Sequence, residues 1–149
     1  MGMYTKLHCN IKIDREAEEC IEILKYMLGK TKTINFEVPK HSLFKAETQR
    51  WKFMLNSSSY YFTGTSNSEL IKDDISGYVL HCDCDFKNYE GEIESFLDWI
   101  SKYANYSDYY EYIGYERYEE AKVPELIFMR KGNYKKVNLK EDIINVYED

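Results

Sequence analysis

Two stretches that begin alike decide the fold of this chain: LHCNIKID at residues 7–14 and LHCDCDF at residues 80–86. In both, apolar and polar residues alternate with the two-residue period of a strand that has one buried face. The alternation places Cys9 and Cys82 on the apolar side, together with the leucine of each stretch. Free cysteine behaves in such positions as a small apolar group. Both stretches therefore predict strands whose cysteines face a core and whose histidines face away from it.

An amphipathic helix is predicted after each strand, because apolar residues recur there at intervals of three and four. The first helix is expected to end at Gly29, since glycine is common just past a helix C-terminus. A shift of 73 residues superposes both strands and both helices, so that Leu24 falls on Leu97. We interpret the chain as two pseudo-repeated β-α-β-β units, at about residues 3–63 and 77–131.

Two further strands complete each predicted unit. In the first unit they are WKFML at residues 51–55 and SYYFT at residues 59–63, joined by a serine-rich turn. In the second unit they are the tyrosine-rich residues 109–118 and the apolar residues 124–128. These segments are rich in the aromatic and β-branched residues that strands favour.

The remaining segments are expected to be connections and one short closing helix. Residues 64–76 are polar and predict a loop, with a helical turn near residues 69–73. Asn138 and Glu141 have the spacing of a capping box and predict a short C-terminal helix. Together these elements predict a single α+β domain over residues 1–149, with two helices on one face of a largely antiparallel sheet. The arrangement is ferredoxin-like in a loose sense.

The composition indicates an acidic protein that needs no disulfide or metal to hold its core. The chain has 149 residues, of which 44% are hydrophobic and 31% charged. Its four cysteines form no C-x-x-C pair, so we expect reduced thiols and a cytoplasmic location. We recognise neither a signal peptide nor a transmembrane helix, and expect no membrane partner. A formal net charge of −6 opposes nucleic-acid phosphate and makes a nucleic-acid partner an unfavoured hypothesis.

No catalytic or cofactor-binding motif is complete in the sequence. LGKT at residues 28–31 ends like a phosphate-binding loop, but Leu24 stands where that motif needs glycine. A predicted helix precedes LGKT, whereas the motif needs a strand. The three histidines, His8, His41 and His81, have no recognisable catalytic setting. We therefore assign no catalytic residue and no cofactor.

One polar sheet face is a candidate ligand or metal site. Its residues are His8 and Asn10 on the first strand and His81, Asp83 and Asp85 on the second. Histidine and carboxylates suit zinc or manganese, so these groups predict a site if the two strands are neighbours. The alternative interpretation is a solvated polar face that binds nothing.

The segment DYYEYIGYERYEE, residues 108–120, is a candidate surface for a protein partner. As a regular strand it would place on one side the residues Tyr110, Tyr112, Glu116 and Tyr118. Tyrosine offers rigid contact area and carboxylates attract cations, which favours a basic protein partner. The alternative is an edge strand that its charges keep soluble.

Three functional hypotheses follow from these patterns. The first is a small acidic intracellular binding protein of the inhibitor, immunity or anti-defence type. The second is an enzyme or a ligand- or metal-binding domain that uses the polar sheet face around His81 and Asp83. The third is a single-strand nucleic-acid binder that stacks bases on tyrosines of an open sheet, which the acidic charge opposes.

Overall fold

One antiparallel sheet organises the part of the chain that the structure describes. The computed structural model describes residues 3–34, 37–45, 47–59, 67–75 and 77–139. Its elements in chain order are β1 (Thr5–Ile13), α1 (Glu18–Met27), α2 (Ser42–Lys45), a 3-10 helix (Arg50–Asn56), β2 (Glu69–Asp73), β3 (Gly77–Phe86), α3 (Glu92–Ser101), β4 (Glu111–Tyr118), β5 (Glu125–Arg130) and β6 (Asn133–Asn138). The strand order is β2-β3-β1-β4-β5-β6, and each neighbouring pair of these strands is antiparallel. The protein is therefore α+β, with a six-stranded sheet and few helices.

β1 and β3 lie side by side within the sheet, and their register builds the core. Cys9 lies opposite Cys82, and all nine residues of β1 are paired with β3. Leu7 and Leu80, which the alternation predicts as apolar core residues, are fully buried. The four thiols of the chain are free and buried. The predicted strands and the core orientation of their cysteines are confirmed.

α1 and α3 cover the face of the sheet that carries these buried residues. Leu24 of α1 and Leu97 of α3 are fully buried in the same apolar cluster as the sheet residues. At the start of α3, the side-chain oxygen of Asn88 accepts a hydrogen bond of 2.9 Å from the backbone N–H of Ile93, which satisfies one of the donors that a helix N-terminus leaves open. Both predicted helices are present. Among the described helices, none has the length and apolar composition needed to cross a membrane.

The strand predicted at residues 51–55 is wrong, because these residues belong to the 3-10 helix. Trp51, Met54 and Leu55 are buried whereas Phe53 is exposed, which is a helical spacing and not a strand alternation. The segment packs beside α1 and β3, so its tertiary surroundings override its strand-like composition. Residues 60–63, the greater part of the next predicted strand, lie outside the described residues.

β2 and β6 are strands that the sequence patterns do not predict. β2 stands where a loop with a helical turn is expected, and Leu70 is the residue that packs it against the core. β6 forms a hairpin with β5 through a turn at Gly132, whose φ is 85°. Asn138 is the last residue of β6, and the short helix predicted after it falls mostly on residues 140–149, which lie outside the described residues. Both are polar edge strands, which hydrophobic alternation does not reveal.

Candidate functional site

A bulge in β4 determines which side chains reach each face of the sheet. The β4–β5 register shifts between Tyr112 and Gly114, so that Tyr112 pairs with Phe128 and Gly114 pairs with Ile127. Gly114 has a φ of 153°, and a Cβ atom at this position would lie 2.1 Å from the carbonyl oxygen of His8. Glycine therefore permits an approach of β4 to β1 that no other residue allows.

We refer to the face of the sheet opposite α1 and α3 as the open face. Along β5, Ile127 is buried against the helices, so that Phe128 lies on the open face. Cross-strand partners share a face. Tyr112 therefore lies on the open face with Phe128, and Tyr115 lies there with Leu126.

The predicted tyrosine and glutamate surface is divided by the bulge. Tyr112 is 56% exposed on the open face, whereas Glu116 is 4% exposed and pairs with Leu7 on the core face. Tyr118 ends β4, and Tyr110 precedes it. The prediction that these four residues share one side is wrong, because one extra residue in a strand reverses its alternation. Glu116 consequently offers no exposed carboxylate to a partner.

Glu116 forms a buried ion pair with Lys136 beneath α3. Its Oε1 lies 2.6 Å from Lys136 Nζ, which is also 3.5 Å from Oε2 of Glu94 in α3. Burial raises the pKa of Glu116, and the hydrogen bond from Lys136 opposes this rise. Burial lowers the pKa of Lys136, but the hydrogen bond and charge of Glu116 raise it, and the net shift is upward. The ion pair therefore joins β4, β6 and α3 and has a structural role.

On the open face, β1 and β3 bring two histidines together. The rings of His8 and His81 lie edge to face with centroids 5.5 Å apart. His8 also stacks on Tyr115 at 5.4 Å, and His81 Nδ1 lies 2.8 Å from Asn10 Oδ1. The pairing of the two strands puts His8 opposite Asp83 and His81 opposite Asn10. The structure thus brings together the polar residues that the sequence places on this face.

The carboxylates of this cluster are engaged by a lysine. Lys6 Nζ lies 3.2 Å from Asp83 Oδ1 and 3.0 Å from Asp85 Oδ1. Burial lowers the pKa of Lys6, but these carboxylates raise it, and the net shift is upward. Asp85 is buried, and its Oδ2 lies 3.3 Å from the backbone nitrogen of Ser59. Within the described residues, no group of three or more His, Cys, Asp or Glu side chains is arranged to hold a metal ion, so a site at His81, Asp83 and Asp85 stays a prediction.

An aromatic cleft, which we call the end cleft, opens where β3 ends. It has a volume of about 410 Å³, and its lining includes Tyr4, Arg50, Phe53, Phe86, Lys87 and Tyr89. These residues come from the residue before β1, from the 3-10 helix and from the end of β3 and the turn after it. No sequence pattern marks these residues as a surface, because they come together only through the 3-10 helix, where the pattern predicts a strand.

Arg50 is fixed between two aromatic rings of the end cleft. Its guanidinium carbon lies 4.8 Å from the ring centroid of Phe86 and 5.2 Å from that of Tyr89. The guanidinium also donates a hydrogen bond to the backbone carbonyl of Lys87, and its Nε lies 3.5 Å from Oε2 of the buried Glu92. Planar stacking combined with directed hydrogen bonds is the geometry that arginine supports and lysine does not.

The rim of the end cleft exposes two large aromatic side chains. Phe53 is 71% exposed and Tyr89 is 59% exposed. The 3-10 helix explains Phe53, because its buried residues occupy the opposite side of the helix. A sequence signal for this surface exists: once residues 51–55 are assigned a helical period, Phe53 falls outside the buried set.

A larger depression of about 610 Å³ lies near the connection between β1 and α1. Several of its charged groups already bond within the protein. Lys131 Nζ lies 2.7 Å from Asp14 Oδ2, and Arg15 donates a hydrogen bond of 2.6 Å to the carbonyl oxygen of Asp74. The end cleft and the open face are therefore the stronger candidates for a functional surface.

No model of a known protein family, no curated protein and no solved structure matches this chain.

Proposed function

We propose that this chain is a small binding protein that acts by contact with a protein partner, as an inhibitor, an immunity protein or an anti-defence factor does. We place the contact at the end cleft. The observation that carries this proposal is the exposure of Phe53 and Tyr89 beside the fixed guanidinium of Arg50. Aromatic residues and arginine dominate the energy of protein interfaces.

The groups of the end cleft are arranged before a partner arrives. Arg50 is held by Glu92 and by the carbonyl of Lys87, so it loses little side-chain freedom when it is covered. Phe53 and Tyr89 have few rotatable bonds, and covering them removes apolar area from water that folding leaves exposed. A partner that inserts an apolar side chain into the cleft gains from both effects.

The charges near the end cleft suit a basic partner. Glu119 Oε1 accepts a hydrogen bond of 2.6 Å from the backbone nitrogen of Tyr4, so a carboxylate lies next to the cleft. Glu90, in the turn after β3, is exposed. Arg50 is ion-paired with Glu92, and Lys87, the other cation of the lining named above, has its Nζ 5.3 Å from the ring centroid of Tyr4. With a net charge of −6, the chain should attract a basic surface at a rate that falls with salt.

The test begins with capture of a partner from a lysate of the source organism by the tagged full chain. With the purified pair, Phe53→Ala and Tyr89→Ala should each weaken binding at least about tenfold, or about 1.4 kcal/mol. Tyr109→Ala is the matched control, because Tyr109 is an exposed aromatic residue that precedes β4 and does not line the end cleft.

Two outcomes would move or remove the proposed interface. If Phe53→Ala and Tyr89→Ala bind as the parent does while Tyr112→Ala weakens binding, the interface lies on the open face. If none of the three changes the affinity, neither surface is the interface.

A second candidate function is an enzyme or a ligand- or metal-binding domain on the open face. The observation that favours it is the convergence of His8, His81 and Asn10. Calorimetric titration of the chelator-treated protein with zinc and with manganese tests its metal-binding form. Heat that is lost in His81→Ala would support a site, and no heat at about 50 µM protein would remove one of micromolar affinity.

We also infer an internal duplication and a cytoplasmic location. The duplication is supported by α1 and α3, which follow β1 and β3 at nearly the same distance, and by the pairing of Cys9 with Cys82. It is limited to these strand–helix units, because the 3-10 helix falls where the shifted sequence has β5. A loosely ferredoxin-like single domain is the corresponding fold proposal. The four free thiols support a reducing compartment.

A further inference from the structure

One part of the open face combines aromatic rings with cations, and we call it the aromatic–basic patch. Its residues are Tyr110, Tyr112, Phe128, Arg130 and Lys135. The Arg130 guanidinium carbon lies 4.8 Å from the ring centroid of Tyr110, and Lys135 Nζ lies 4.6 Å from the same centroid. The rings of Tyr112 and Phe128 are 5.7 Å apart in an edge-to-face arrangement.

In the described part of the chain, the two cations of the patch form no ion pair. Among the described residues, no carboxylate lies at ion-pair distance from Arg130 or Lys135, whereas the neighbouring Lys131 and Lys136 are paired with Asp14 and Glu116. On a chain of net charge −6, two cations without an ion pair among the described residues, beside three aromatic rings, form a basic patch on an otherwise acidic protein.

Two acidic side chains of β4 face away from this patch, one of them because of the bulge. Glu111 pairs with Met129 and Glu116 pairs with Leu7, so both are directed to the core side of the sheet. Tyr112 lies between them in sequence but on the opposite face. The acidic appearance of this segment in the sequence therefore does not describe the surface around Tyr112.

Aromatic rings continue from the patch across the open face. Tyr115 of β4 stacks on His8 of β1, which contacts His81 of β3 edge to face. Rings consequently lie along four adjacent strands, from β3 to β5. Such an array presents flat groups on a sheet surface, which is the form of a base-stacking platform.

We infer that the aromatic–basic patch binds single-stranded nucleic acid. Arg130 and Lys135 contact phosphates, while bases stack on Tyr112 and Phe128. Every base has a flat face, so the binding tolerates different sequences. This inference does not rest on the protein-binding function proposed for the end cleft, because the two surfaces share no residue.

The number of cations sets the salt dependence. For single strands, the logarithm of the binding constant falls with the logarithm of salt concentration by about 0.7 for each neutralised phosphate. Two phosphates give a slope of about −1.4, so the affinity falls about sevenfold between about 50 and 200 mM salt. The site is therefore weak and is best measured at low salt.

The experiment measures fluorescence anisotropy of labelled oligouridine and oligodeoxythymidine of about twelve nucleotides with the full chain. Arg130→Gln and Lys135→Gln should each reduce the magnitude of the salt slope by about 0.7. Tyr112→Ala should weaken binding at least about fivefold with the slope unchanged, since a stacked ring carries no charge. Lys122→Gln is the matched control: it removes an exposed cation from the β4–β5 connection and should change neither quantity.

Loss of binding in the patch variants, with Phe53→Ala behaving as the parent, supports the inference, and the preference between the two probes identifies RNA or DNA. Three outcomes overturn it. One is no anisotropy change at about 100 µM protein in low salt. Another is a salt slope that Arg130→Gln and Lys135→Gln leave unchanged. The third is displacement of the oligonucleotide by an equal concentration of an oligoglutamate peptide, which would assign the patch to an acidic protein partner.

Discussion

Replacement of Lys136 by methionine tests the buried ion pair directly. Methionine keeps much of the lysine stem but removes the ammonium that lies 2.6 Å from Glu116 Oε1. Removing one partner of a buried ion pair costs about 3 to 5 kcal/mol, because the other charge stays buried without compensation. Since the Lys136 side chain is 25% exposed, we expect the lower end, about 3 kcal/mol at neutral pH.

The stability that Lys136→Met loses should become smaller as the pH falls. Burial already raises the pKa of Glu116 in the folded chain above its usual value. A carboxyl whose folded pKa is raised favours the folded state as pH falls, because the folded state then binds the proton more tightly than the unfolded state. Without Lys136 the pKa of Glu116 rises further, so the loss of stability should shrink between about pH 7 and about pH 5.

Urea denaturation followed by circular dichroism at both pH values measures this effect. Lys135→Met is the matched control, because its side chain is the exposed neighbour on the open face; it should stay within about 0.5 kcal/mol of the parent. The double variant Glu116→Gln with Lys136→Met should recover most of the loss of stability, since neither side chain of the former pair then carries a charge. A loss in Lys136→Met below about 0.5 kcal/mol, or one equal at both pH values, would refute the reasoning.

Three further predictions concern the core and the bulge. Gly114→Ala should lower the free energy of unfolding, measured by urea denaturation, by more than about 3 kcal/mol, whereas Gly132→Ala should lower it by about 1 kcal/mol. The reason is that a Cβ at Gly114 meets backbone atoms of β1, whereas one at Gly132 meets nothing within 4 Å. Equal losses would contradict the bulge geometry. Leu97→Ala should lose about 2 to 5 kcal/mol in the same assay, and a loss below about 1 kcal/mol would place Leu97 outside the core. The thiol of Cys82 should react with a thiol reagent in the native protein only as fast as the fold opens, so immediate labelling would contradict its burial.

The local patterns of the sequence predict the elements that have one buried side. β1, β3, α1 and α3 each carry a long apolar set at a single period, so their positions and buried residues follow from alternation or helical spacing. Residues 51–55 fail this test because they are apolar at nearly every position and fit both periods. In this segment the tertiary contacts with α1 and β3 favour a 3-10 helix. β2 and β6 have too few apolar residues for any period to appear.

The candidate surfaces depend on pairing that no local pattern contains. The approach of His8 to His81 is predicted once β1 and β3 are neighbours, because alternation already places both histidines on one face. The end cleft is not predictable in this way, since Arg50 and Phe86 come together only through tertiary packing. The predicted tyrosine surface is wrong because it requires a regular two-residue period across Gly114, where the register shifts. A glycine inside a strand pattern is the one sequence signal of this irregularity.

The bulge also determines which changes in chain length β4 can accept. Ile113 is its extra residue: if it were absent, Tyr112 and Gly114 would be consecutive and would still pair with consecutive residues of β5. Deleting Ile113 would thus leave every other side chain of β4 on its present face, with loss of one buried side chain. A deletion elsewhere in β4 would instead turn part of the strand over, exposing core residues and burying polar ones. Length variation in β4 of related chains should therefore concentrate at Ile113.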